Sequence, residues 1–525
     1  MAHYPSIFND VIGPVMRGPS SSHCAASLRI ARICRDLMDG SLKNILIEFD
    51  PNGSLATTHK GQGSDMGLFG GFLGWEAYDE RLPEAEKHLA TAGIEVAIEI
   101  RDIQAEHPNT YKFTLTNDLG SHTLTALSTG GGMIEVIEID GSEVFMMGDY
   151  YETLVYCSDH DRVMSFLNSS FRFDEIIHHP GPNPFIEIRS QEKPDEILRQ
   201  ELMAMDQVTS IKFLEPVLPI RSRKGLAVPF ITCHDMMVYN EDKGKELWEL
   251  ALDYESARGN ISSVEVFEKM RDIIRIMGNA IETGLKGTKY EDRILGSQSP
   301  RFREQMLAGN LIKGDVNNRV IMYVSSIMEV KSSMGVIVAA PTAGSCGALP
   351  GAIFGTAHEM GLPEEDMVKA MLSAGLIGVF IAAHATFAAE VGGCMAETGS
   401  GGGMAAAGIV GLKGGTLQQS IAASSLALQN SLGIICDPIG NRVEAPCLGR
   451  NVMAATNAIS SANMALSDYE YLIPLDEVIQ TMKVVGDRID HTLRCTNLGG
   501  LSVTASAKRI EAGLEQGTVM AYKSC

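Results

Sequence analysis

Four cysteines in the second half of this 525-residue chain stand beside glycine or proline: Gly344-Ser345-Cys346-Gly347, Gly393-Cys394, Cys436-Asp437-Pro438 and Pro446-Cys447. A thiol framed in this way sits on a turn, close to free backbone N–H groups. Such groups lower a thiolate's pKa and hydrogen-bond to the sulfurs of a cluster. The intervals of 48, 42 and 11 residues match neither a zinc ribbon nor a ferredoxin. Buried, inert thiols are the competing reading, since free cysteine is among the most buried residue types. From spacing alone, both readings stand.

Two polar motifs lie far upstream. Gly18-Pro19-Ser20-Ser21-Ser22-His23 precedes an apolar-periodic run at 25–38. Its hydroxyls and N–H groups therefore fall at a helix N-terminus, a place suited to a carboxylate or phosphate. A serine-rich helix cap accounts for the same residues. Thr58-His59-Lys60-Gly61-Gln62-Gly63-Ser64-Asp65 is a glycine-rich turn after a short strand, by itself a surface loop. The triple glycines at 130–132 and 401–403 fit no dinucleotide fingerprint or P-loop, and no HExxH or GxSxG occurs. The SxxK match from Ser190 to Lys193 falls in a polar stretch and reads as chance.

The elements that must position these motifs change character along the chain. Residues 44–50, 94–102, 111–117, 122–127 and 133–140 alternate apolar and polar and predict strands, with a helix at 84–92. This predicts an α+β domain over 1–160. Residues 161–200 are polar and broken by Pro180, Pro182, Pro184 and Pro194, which predicts a linker. Beyond it strand signals nearly vanish, and 201–525 predicts an all-α domain. One example is the helix opened by Ser262 with Glu265, with Phe267, Met270, Ile274, Met277 and Ile281 on one face.

Composition narrows the function classes. Hydrophobic residues make up 45%, which excludes general disorder, and the net charge of −22 disfavours a broad surface for nucleic acid or an anionic membrane. The run at 370–391 is long enough to span a bilayer. It contains His384, Thr386 and Glu390, however, and predicts a buried core helix instead. Ten cysteines are too few for a disulfide scaffold, and the start, MAHYPSIFNDVIGP, has no secretion-signal pattern. The expectation is a cytoplasmic protein with reduced thiols.

Taken in order, GPSSSH, SLATTHKGQGSD, HPN, STGGG, APTAGSCGALPG, GGCMAETG, CDPIGNRVEAPC and GGL resemble the iron–sulfur-dependent L-serine dehydratases (L-serine ammonia-lyases) of bacteria. The resemblance covers nearly the whole chain, with the family's β and α parts fused in one polypeptide. It implies an allosteric-substrate-binding-like α+β domain before the helical one, and a homodimer that degrades L-serine to pyruvate and ammonia. It further implies a [4Fe–4S] cluster on Cys394, Cys436 and Cys447, whose 42- and 11-residue spacing agrees with the family's ligands. Three thiolates leave one iron open as a Lewis acid for the β-hydroxyl. The implied catalytic residues are His23, the preferred proton-transfer group, His107, its alternate, and Lys60, which faces the cluster or binds serine. The implied substrate contacts are Ser20, Ser21, Ser22, Asp65, Thr342, Ser345 and Cys346, with Arg450 and Asn451 supporting the ligand turn.

Some members of this family end in a cysteine that caps the open iron, and this chain ends in Cys525. Cys24, Gln62, Gly63 and His384 stand where the family usually has other residues. These departures keep a lyase for threonine or another 3-hydroxy amino acid open, beside a serine-sensing regulatory protein.

Overall fold

The computed structural model describes residues 4–515. Cys525, the expected iron cap, lies outside the described residues.

All five strands expected in the first third are present, at Asn44–Phe49, Glu95–Ile100, Thr110–Thr116, Ser121–Gly130 and Met133–Ile139. With Ser142–Met146 they make a six-stranded sheet. Asn44–Phe49 pairs in parallel with Glu95–Ile100, and every other pair is antiparallel. The alternation works as expected. Tyr111, Phe113 and Leu115 point to one buried face with Leu124, Ala126, Ile134 and Val136, and the helices Ala26–Leu37 and Ser64–Phe72 cover it.

The stretch 161–200 is regular and not a linker. The strands Tyr151–Cys157, Glu175–His179, Phe185–Ser190 and Val208–Leu214 form a second, antiparallel sheet with the helices His160–Ser170 and Glu196–Met203. Pro180, Pro182 and Pro184 occupy the connection between two of its strands, and Pro194 precedes a helix. Proline there punctuates regular structure without dissolving it. The polarity also misleads, because Glu187 and Arg189 are buried as an ion pair.

The helical part runs from Cys233–Asn240 to Ala505–Glu515. Ser262 caps its longest helix, Ser263–Lys286, by accepting a hydrogen bond from Glu265 N. Glu364–His384 is the one helix among the described residues long and apolar enough to cross a membrane, and 78% of its most apolar stretch is buried in the protein. Small residues let these helices approach closely. A β-carbon on Gly351 would fall 2.4 Å from Val324 Cγ2, so the helices Ala348–Met360 and Asp315–Ser332 touch through backbone.

The first residues of the chain belong to this helical core and not to the sheet. Ile7, Phe8, Val11 and Ile12 are buried in it, and Val15–Met16 pairs with Ile337–Val338. Ser6 Oγ and Ile7 N both donate to the buried carboxylate of Glu255. The anchor is titratable: burial, partly offset by those hydrogen bonds, pushes Glu255 up to about 7 from an ordinary 4.5. A carboxyl raised by folding favours the fold while protonated. Its contribution is therefore complete below 4.5 and lost as pH rises through about 7. Glu255→Gln should accordingly lose less Tm than the parent between about pH 5 and about pH 8. Equal slopes of Tm against pH would show that the carboxyl ionises without cost.

Candidate functional site

Cys394, Cys436 and Cys447 arrive from three separate elements. Cys394 follows Gly393, whose φ of +70° and whose β-hydrogen side, 2.8 Å from Ile434 O for any β-carbon, admit only glycine. It leads into a π-helical turn, Met395–Gly399, and then the helix Ser400–Leu412. Cys447 opens the helix Cys447–Leu466 directly after Pro446. Cys436 lies in extended chain bridged to Arg494, where Cys436 N donates to Leu493 O.

A fourth thiol joins them. Cys495 N donates to Cys436 O, and Cys495 packs with Cys394 and Cys436 in one small cluster. Its sequence neighbourhood, Arg494-Cys495-Thr496, lacks the glycine or proline that marked the others, which is why the spacing argument passed over it. Cys346 goes elsewhere: it is buried with its thiol against Met328 Sδ, 3.8 Å away.

Cys436, Cys447 and Cys495 line a small pocket with Ser20, Gln62, Gly344, Glu390 and Glu397. Three larger clefts, around Trp248, around Arg223 and around Asn457, contain no thiol. The pocket is therefore built by both parts of the chain. Ser21 Oγ accepts from Ala343 N, Ser22 Oγ donates to Glu390 at 2.8 Å, and Gln62 Nε2 donates to Cys495 Sγ at 3.5 Å.

The GPSSSH motif forms a second π-helical turn, Ser21–Ala25, running into the helix Ala26–Leu37. Such turns are frequent at functional sites. His23 is fully buried with both ring nitrogens engaged. Thr58 spends its one hydroxyl proton on Ser54 O, so Thr58 Oγ1 accepts from His23 Nε2–H at 2.8 Å. The other nitrogen, Nδ1, is then the acceptor, 3.1 Å from Ser20 Oγ and 3.6 Å from Glu390. Burial holds His23 below its ordinary 6.5, against the pull of Glu390, so the ring is neutral near pH 7. His23 reaches the pocket through Ser20 and Glu390, which line it. His107 is lowered by burial and also feels Glu390. Lys60 is exposed, and Asp65 is bound to His59 Nδ1 at 2.7 Å.

Sequence reading missed the carboxylates. Glu390 and Glu397 flank Cys394 in a stretch otherwise of glycine, alanine and apolar residues, and that contrast was the available signal. Glu397 accepts from Thr342 Oγ1 at 2.7 Å, and Thr342 in turn contacts Ser345 Oγ at 3.0 Å. Burial, then the charge of Glu390, pushes Glu397 up to about 7. Two cations face this set. Lys331 is fully buried and donates to Val443 O, and Arg450 binds Asp437 at 2.6 Å. Their fields pull on Glu397 and on the thiols, although burial still pushes Cys394 up to about 11. Hydrogen bonding to Cys495 and burial raise Cys436. These thiols are thus neutral until a metal replaces their protons.

Residues 242–502 match the model of the family described as serine dehydratase alpha chain. The probable L-serine dehydratase alpha chain of Bacillus subtilis is 36% identical over 247 residues, 47% of this chain and 82% of that one. The probable L-serine dehydratase beta chain of the same organism is 40% identical over 156 residues, 30% of this chain and 70% of that one. The L-serine dehydratase of Streptomyces coelicolor is 26% identical over 501 residues, covering 93% of this chain and 96% of that one.

Asn451 holds the pocket wall together. Its Oδ1 accepts from Gly347 N and Ala348 N, and its Nδ2 donates to Gly344 O and Cys447 O, all within 3.2 Å. Asn451→Ala should lower stability by at least about 1–3 kcal/mol, the cost of one buried group left unpaired. Urea unfolding measures this, and an unchanged midpoint would mean that the wall finds other partners.

Proposed function

The chain belongs to the L-serine dehydratase family, and on that basis we propose that it is an L-serine ammonia-lyase acting through a [4Fe–4S] cluster on Cys394, Cys436 and Cys447. The enzyme is a carbon–nitrogen lyase. The observation that carries the finer reading is that Cys436 and Cys447 line one pocket with Ser20 of GPSSSH and Gly344 of APTAGSCG, while Cys394 packs against Cys436 beside it.

The donors suit the cluster. Among the described residues, no three His, Cys, Asp or Glu side chains gather as for a single metal ion. A polynuclear cluster spreads its thiolates more widely than one ion does, and an all-sulfur donor set selects iron–sulfur chemistry over hard cations. When bound, the cluster supplies a Lewis acid for the β-hydroxyl of serine, otherwise a poor leaving group.

The protein's own groups do the rest. Ser20 on one wall and the Thr342–Ser345 turn behind Glu397 offer hydroxyls to the substrate carboxylate, and Lys331 and Arg450 supply the compensating charge. Neutral His23, with Nδ1 accepting from Ser20 Oγ, takes up the α-proton through that hydroxyl. Loss of the α-proton and of the β-hydroxyl as water yields an enamine. Tautomerisation and hydrolysis then give pyruvate and ammonia. Burial of Ser20 and Glu390 keeps bulk water from competing for those protons.

Anaerobically purified protein should be brown, contain about four irons per chain and deaminate L-serine in preference to other 3-hydroxy amino acids. Ala at Cys394, Cys436 or Cys447 should abolish both colour and activity, and air should inactivate the parent. A colourless, fully active preparation overturns the reading. His23→Ala should lower kcat by at least about a hundredfold, the scale of lost acid–base catalysis, and remove the acidic limb of the pH profile. A loss below about threefold in folded protein would make His23 a structural helix cap only.

A further inference from the structure

The cluster reading uses three thiols, yet four converge. Cys495 is 5% exposed and cannot be a surface thiol. Its surroundings are also not those of an inert core cysteine, because polar partners meet it. Gln62 Nε2, from a side chain only 1% exposed, donates to its sulfur, and Cys436 packs against it. Amide donors of this kind stabilise thiolate sulfur in iron–sulfur sites.

The backbone is arranged to hold it there. Cys495 has φ +59°, in the left-handed region that a residue with a β-carbon seldom adopts. The bridge between Cys436 and Arg494 fixes that conformation, with Cys436 N on Leu493 O and Cys495 N on Cys436 O. One strand-like pairing thus carries a ligand thiol and Cys495 side by side, and the strained residue faces the pocket. Arg494 is tied down in turn, its guanidinium donating to Ile489 O and Asp487 O.

We propose that Cys495 is a fourth protein ligand to the cluster, binding in the resting enzyme the iron that Cys394, Cys436 and Cys447 leave open. Gln62, from the N-terminal part of the chain, is its hydrogen-bond donor. Binding exchanges the S–H bond for an S–Fe bond and releases one proton, with no change in oxidation state. The inference rests on the cluster reading above. It places the cap inside the fold, where the terminal Cys525 would otherwise be the candidate.

The test is the loss of one iron on anaerobic titration with ferricyanide, followed by the EPR signal of the oxidised three-iron cluster. A fully thiolate-bound cube resists that loss, and one with an open iron does not. The parent, Cys495→Ala, Cys495→Ser and Cys525→Ala are compared, each first assayed for iron. Cys495→Ala keeps the β-carbon and removes only sulfur. Cys495→Ser returns a weaker oxygen donor and serves if the alanine variant does not fold. The three-iron signal should appear at least about tenfold faster in Cys495→Ala, a scale on which even indirect partners alter metal binding. Cys495→Ser should fall between, and Cys525→Ala should match the parent. Equal rates in parent and Cys495 variants, each with about four irons, overturn the proposal and leave the cluster reading standing. Acceleration in Cys525→Ala alone assigns the cap to the tail and likewise overturns it. A parent without iron overturns the cluster reading itself.

Discussion

Desolvation of one small set of groups governs this structure. Four thiols, the carboxylates of Glu390 and Glu397, and the cations of Lys331 and Arg450 are held largely out of water around one pocket. Each would be costly to bury alone. Each charge is met by a neighbour: Thr342 and Ser22 donate to the carboxylates, Val443 O accepts from Lys331, and Asp437 binds Arg450. The surrounding turns exist to bring those partners within reach.

That requirement explains how the two parts of the chain are joined. Ser20, Ser22 and Gln62 come from the N-terminal part, and the thiols and both carboxylates from the helical part. Neither half alone completes the hydrogen bonding. The contacts of Asn441 with Thr57 and of Arg442 with Gly61 clamp the glycine-rich turn over the Cys436 segment. The first residues of the chain extend this joining by threading through the helical core before the sheet begins.

The pocket also keeps the imidazole apart from the thiols. His23 sits on the serine side, neutral, with its tautomer set by Thr58. The thiols sit opposite, beside the helix that starts at Cys447. Glu390 touches both, through Ser22 on one side and the pocket on the other. Burial is the common cause of every shift here: it lowers the imidazole and raises the carboxyl and the thiols.

The sequence by itself determined the elements whose signals are local. The five alternating strands, the helix after GPSSSH and the switch to a helical second half were legible because period and capping residues act over a few positions. Glycine- and proline-framed thiols were equally legible. The stretch 161–200 was misread because its prolines lie in connections and its charges pair inside a sheet, which only the fold reveals. Cys495 was invisible for a related reason. Its significance is a backbone bridge to Cys436 and a hydrogen bond from Gln62, 433 positions away in the chain. Glu390, Glu397 and Lys331 likewise acquire meaning only from what they face. Residue type and spacing reveal which chemistry a chain can hold, but tertiary structure decides which groups share a desolvated pocket, because desolvation is a property of the surroundings and not of the residue.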